Sequence, residues 1–210
     1  MSREVEDLRA ILHESGGSAF VFGSSSGAAL AMQGVAAGLP IRKLALYEPP
    51  LGEPRPGGPS LPEARHQMEG LVAADDRAGA VRYFLTAMLG APRPFVAMMP
   101  VIMRSTWAKT TSVANTLPYD LAIIADRTVL SERAGKVSVP TLVVGGGKSP
   151  PYMQRAVERV TNALPNARAL VLPGESHDVS AAAGALTPVL IRFFSSDAAE
   201  RAVPASGTGS

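Results

Sequence analysis

The chain has no cysteine among its 210 residues. That excludes disulfides, thiolate metal sites and a cysteine nucleophile together, and it fits a cytoplasmic protein. Charge is sparse: 18% of residues are acidic or basic, and the formal net charge is only +2. With no dense Lys/Arg block, no nucleic-acid partner is expected. No uninterrupted apolar run approaches the ~20 residues of a membrane span. Residues 1–13 alternate charged and apolar side chains and lack the continuous apolar stretch of a signal peptide. No membrane partner is therefore expected. No cluster has metal-ligand spacing, and no G-x-G-x-x-G follows an expected strand; Gly145-Gly146-Gly147 is a weak dinucleotide signal beside that motif. Neither a metal nor a cofactor is expected.

What is present is an apolar content of 46%, enough for one domain with a real core. Val5, Leu8, Ile11 and Leu12 recur at helical spacing between charged residues, and Gly16-Gly17 end that helix. Residues 18–22 read as a buried parallel strand, apolar at consecutive positions. A Gly/Ser turn follows at 23–27, then a small-residue helix at 28–37 and a strand at 43–47. This is βαβ order, with a right-handed crossover expected. Beyond the Pro/Gly-rich stretch 52–62, helices are expected at 61–74, 77–89, 95–107 and around 120–134. The alternation then resumes, with a strand at 141–144, a helix at 151–164, a strand at 168–172 and a last helix at 182–194. The expected class is α/β.

Gly23-Ser24-Ser25-Ser26-Gly27 matches G-x-S-x-G, with Ser25 at its centre. A sharp strand-to-helix turn strains the central serine and demands small neighbours, which the flanking serines supply. It lifts the Ser25 hydroxyl above the carboxyl edge of the sheet. It also aims the Ser26 N–H, at a helix N-terminus, toward a developing oxyanion. The same five residues suit a flexible or phosphate-binding turn; the strand before and the helix after favour a nucleophile. Of three histidines, His13 closes the first helix and His66 sits among polar residues. His177, in Gly174-Glu175-Ser176-His177-Asp178, follows the last strand and opens at the same sheet edge as Ser25, where a base is needed. Asp178 is expected to cap the helix that follows.

These segments, with Leu46-Tyr47-Glu48-Pro49-Pro50 and Pro140-Thr141-Leu142-Val143-Val144-Gly145, resemble the α/β-hydrolase superfamily across most of the chain. Serine first and histidine last is that family's order. The resemblance implies a partial α/β-hydrolase fold: a parallel sheet with flanking helices and a helical lid insertion. The core would be 1–51 and 137–196, the lid 52–136, and 197–210 a disordered tail. It implies a serine hydrolase acting on an ester-like or other small-molecule bond through an acyl-serine. Hydrolysis and acyl transfer share that chemistry.

Two departures matter. The family places an acid just past the strand at 141–144, but Gly145 to Pro150 contain no carboxylate, and Ser149 stands where the acid would be. Some members carry the acid one strand earlier, where this chain has Glu48. Glu48 is the foremost candidate, its alternative role being a cap beside Pro49; Asp120 and Asp126 are lesser ones. Neutralising the acid costs about 10⁴ in the protease template. Second, only one helix precedes the nucleophile strand, where the family has several strands and a loop carrying the second oxyanion donor. Losing such a donor costs about 10²–10³ in rate. Truncation of a longer gene product is the favoured expectation; a partner chain or a catalytically weak scaffold that binds small molecules are the others. The open strand edge leaves self-association as an expectation. Within the insert, Met99 and Trp107 are candidates to line a substrate pocket, or simply to pack the insert on the sheet.

Overall fold

The computed structural model describes residues 3–51, 55–126 and 128–200. Helix α1 (Arg3–Glu14) leads into β1 (Ala19–Ser24), α2 (Ser26–Ala36) and β2 (Ile41–Tyr47). After a helical insert come β3 (Thr141–Gly146), α9 (Pro151–Ala163), β4 (Ala167–Leu172) and α10 (Val179–Glu200). The four strands form one sheet in the order β1-β2-β3-β4, all parallel. All four carboxyl ends therefore lie at one edge, where an α/β sheet builds its sites.

Strand β2 explains the layering. Leu44 and Leu46 face a core made with α1, α2 and α9, through Val5, Met32, Val157 and Val160. Ala45 and Tyr47 face the opposite side and pack on Ala182, Leu186 and Phe193 of α10. Alternate residues of one strand thus fill two cores, which is why residues 44–47 read as a continuous apolar run. Each buried leucine contributes about 1.5–3 kcal/mol. Lys43, 1% exposed, lies on the α10 side. Its Nζ donates to the Phe193 carbonyl at 2.8 Å and to Ser196 Oγ at 2.7 Å, so its charge is hydrogen-bonded rather than stranded.

The insert comprises α3 (Leu61–Ala73), α4 (Arg77–Tyr83), α5 (Arg93–Ile102), α6 (Arg104–Ser112), α7 (Leu117–Ala125) and α8 (Thr128–Ser131). It has its own small core of Ala64, Met68, Ala80, Val81, Ala114 and Leu121. Ser60 and Glu63 form a capping box on α3, and Asp76 caps α4.

Several boundaries differ from expectation. The helix read over 77–89 passes from α4 into a π-helical segment, Phe84–Met88, with the Leu89 N–H donating to the Phe84 carbonyl at 3.1 Å. The helix read over 95–107 is two helices, broken at Met103 (φ −128°, ψ 46°). Pro100, lacking an N–H, already removes a bond from the turn before. The region around 120–134 holds α7 and the short α8 in place of one helix. The last helix starts earlier and runs to Glu200, so a tail starting at 197 would begin inside it; residues 201–210 lie outside the described residues. By length and hydropathy Val179–Ser196 is also apolar enough to cross a membrane. Here its Ala182, Leu186 and Phe193 are buried on the sheet.

Candidate active site

The chain turns from β1 into α2 at Ser25, whose backbone sits at φ 52°, ψ −123°. Such a conformation costs of order 1–3 kcal/mol in a non-glycine residue. What holds it is close packing on either side. A Cβ on Gly23 would lie 2.4 Å from the Gly27 carbonyl oxygen and 2.8 Å from Ala28 Cα, so strand and helix meet only because Gly23 has no side chain. The Ser25 N–H extends the sheet by donating to the Tyr47 carbonyl at 2.9 Å. Although Ser25 occupies the N-cap of α2, its hydroxyl caps nothing; it is left for another partner.

That partner is His177. Its Nε2 lies 3.2 Å from Ser25 Oγ, and its Nδ1 lies 2.9 Å from Glu48 Oε2. Glu48 follows β2 directly and also has positive φ, 47°. It is fully buried. Its Oε1 accepts the Gly146 N–H at 2.7 Å, and its own N–H donates to the Val144 carbonyl at 2.9 Å. Burial alone would push the Glu48 carboxyl up. Hydrogen bonds from His177 and the Gly146 N–H, with the nearby Ser149 hydroxyl and the attraction of His177, outweigh this and hold it below its ordinary value. Ser149 Oγ is close enough to favour the charged form, yet it is buried and forms no hydrogen bond with the described residues.

The loop carrying His177 is tied at several points. The Tyr47 hydroxyl donates to the Ser176 carbonyl. The Lys148 N–H donates to the Glu175 carbonyl at 2.8 Å. Asp178 accepts from the N–H groups of Ser180 (2.9 Å) and Ala181 (3.2 Å), capping α10 as the sequence led us to expect. Burial first, then the nearby charges of Glu48, Glu175 and Asp178, push the Tyr47 phenol up to about 12, so it remains a donor. A Cβ on Gly146 would lie 2.6 Å from the Glu175 carbonyl oxygen and 2.9 Å from Ser176 Cα. The histidine loop thus rests on bare backbone at the end of β3, a stretch that carries no carboxylate.

The profile of the alpha/beta hydrolase family matches residues 2–187. The chain belongs to that family. An alpha/beta hydrolase from Sphaerobacter thermophilus is 41% identical, superposes with a TM-score of 0.80, and matches over 91% of this chain and 73% of its own. The enol-lactonase from Burkholderia xenovorans (18% identity, TM-score 0.63, 91% and 71% covered) shares the fold. So does an esterase from Exiguobacterium antarcticum (14% identity, TM-score 0.64, 90% and 71% covered). No curated protein matches the sequence.

In this alpha/beta hydrolase a cavity of about 170 Å³ opens at Ser25 and His177, between the sheet edge and the insert. Its wall is mostly apolar, with Leu61, Phe84, Met88, Leu121 and Ile124 among the lining residues. Met99 and Trp107 are not part of it, which corrects the sequence reading. Met99 is buried on α5. Trp107 packs on the insert's own core, with the Arg82 guanidinium 5.4 Å above its ring. Helical spacing in this case served packing. The π-helical segment supplies Phe84, Ala87 and Met88 instead; the Ala87 carbonyl accepts from Arg55 Nη2 at 3.0 Å.

His13 and His66 are solvent-exposed and do not line the cavity. Asp126 serves α8, accepting from Thr128 and pairing with Arg133. Asp120, weighed from sequence as an acid for the histidine, instead accepts the Ser26 hydroxyl at 2.8 Å and lines the cavity. Arg55 and Tyr152, which no motif marks, also line it. Among the described residues no group of three potential ligands could hold a metal.

Proposed function

We propose that the chain is a serine hydrolase cleaving an ester-like bond of a small molecule through an acyl-Ser25 intermediate. The observation that carries this reading is the continuous hydrogen-bonded line from Ser25 through His177 to Glu48, at the mouth of an apolar cavity. Ser25 Oγ attacks the carbonyl carbon while its proton passes to His177 Nε2. The imidazolium, its Nδ1–H on Glu48, returns that proton to the departing alcohol. Water then attacks the acyl-serine by the same route, releasing acid and free serine. The Ser26 N–H has no acceptor among the described residues and stands at the start of α2, suited to the oxyanion.

The names of the esterase and the enol-lactonase among its structural neighbours agree with cleavage of a carboxylic ester, open or cyclic. Incubation with a fluorophosphonate is expected to label Ser25, and Ser25→Ala to abolish both label and ester turnover. A folded wild-type sample that takes no label and hydrolyses no ester would leave a small-molecule-binding scaffold as the better description.

A further inference from the structure

Asp120 is the one acidic side chain in an otherwise apolar helix, α7, and it points into the cavity beside the nucleophile. One of its oxygens, Oδ1, takes the Ser26 hydroxyl at 2.8 Å. The other has no partner among the described residues, yet it is not sealed off in the interior. No cation of the described residues pairs with it; Arg55, on the same cavity wall, spends its guanidinium on the carbonyls of Ala87 and Pro56.

Holding α7 in place does not require this carboxyl. Leu121 of α7 sits in the insert's core and Ile123 in the main core. Gln33 Nε2 of α2 donates to the Ile123 carbonyl at 2.9 Å. A leucine at position 120 would suit those contacts and avoid the cost of removing a carboxyl from water. Burial in fact pushes the Asp120 carboxyl up, with the Ser26 hydroxyl opposing only part of the effect. A group kept at that cost, hydrogen-bonded to Ser26 next to the nucleophile and facing the cavity, is placed to meet the substrate.

We infer that Asp120 determines specificity: its free Oδ2 accepts a hydrogen bond from a hydroxyl group on the ester that enters the cavity. This deepens the hydrolase reading and rests on it. A neutral hydroxyl fits better than an ammonium group. It loses far less hydration on entering an apolar cavity, and Arg55 already brings positive charge there.

The test compares three esters on the full chain: ethyl butyrate, ethyl 3-hydroxybutyrate with the hydroxyl on the acyl side, and 2-hydroxyethyl butyrate with it on the alcohol side. Wild type is expected to favour one hydroxylated ester over ethyl butyrate by about tenfold or more in kcat/KM, the worth of a hydrogen bond to a carboxylate. In Asp120→Leu that ratio should fall to about one. In Asp120→Asn, whose amide oxygen still accepts, it should fall at least about threefold without vanishing. The asparagine variant decides should the leucine variant fail to fold. A wild-type ratio near one for both hydroxylated esters, or a ratio that survives in the variants, overturns the inference while leaving the hydrolase reading intact. If wild type turns over none of the three and fluorophosphonate leaves Ser25 unlabelled, the hydrolase reading itself has failed and this inference goes with it.

Discussion

Glu48 reaches His177 from the strand next to the one that carries Ser25, with its carboxylate oxygens 2.9 Å from Nδ1 and 2.7 Å from the Gly146 nitrogen. One oxygen orients the imidazole; the other is pinned by the backbone of β3. The third strand therefore contributes to the site through a peptide N–H and contributes no side chain to it.

Replacing the carboxylate by an amide tests that arrangement. In Glu48→Gln the amide oxygen can still accept the Gly146 N–H, but an NH₂ group then faces Nδ1 and favours the wrong tautomer. Ester turnover is expected to drop by about 10³–10⁴ in kcat, with a smaller change in KM. Steady-state kinetics with an aryl ester checks it; a loss under tenfold would assign the orienting role elsewhere.

The same group links stability to pH. Glu48 titrates below its ordinary value of 4.5 in the folded chain. Its charged form therefore stabilises the fold above the unfolded value, and that contribution is lost as pH falls through the folded one. The difference in melting temperature between wild type and Glu48→Gln should thus shift in favour of the variant as pH drops below 4.5. Thermal melts across that range would contradict the assignment if the difference stayed constant.

Tyr47→Phe removes the hydroxyl that holds the Ser176 carbonyl. The ring stays buried, so the expected loss of stability is about 1–2 kcal/mol, including the carbonyl left without a partner. Because that carbonyl precedes His177, kcat should fall by about tenfold. Since the phenol is pushed up to about 12, the pH profile of turnover should show no limb from Tyr47 between neutrality and about pH 10.

The two motif glycines should behave oppositely. Gly23→Ala forces a Cβ against the Gly27 carbonyl oxygen at 2.4 Å and should cost about 1–3 kcal/mol, or the fold. A Cβ on Gly27, within α2, meets nothing within 4 Å, and Gly27→Ala should stabilise by about 0.4–1 kcal/mol. Chemical denaturation of both variants compares them directly.

Much of the sheet was legible because each strand reads as an apolar run bounded by turn residues, and the G-x-S-x-G turn and the late histidine lie at strand ends. The acid was harder to read. Glu48 lies next to Pro49-Pro50, where a carboxylate equally suits a cap, and only the register of β2 beside β3 brings it under His177. The pocket was the least legible part. Met99 and Trp107 follow helical spacing, but the break at Met103 puts them on two separate helices, α5 and α6, so one continuous helical face does not join them. A better signal was the lone aspartate in Leu117-Pro118-Tyr119-Asp120-Leu121-Ala122-Ile123-Ile124-Ala125, an isolated charge in an apolar helix.

Helix α7 is fastened to α2 by Gln33, which donates to the Ile123 carbonyl, and α2 itself starts beside Ser25. That side of the cavity is therefore an extension of the scaffold, continuous with the helix that starts at Ser26. Sequence change that alters which molecules fit is cheapest around residues 84–88, where, among the described residues, no hydrogen bond runs to α2.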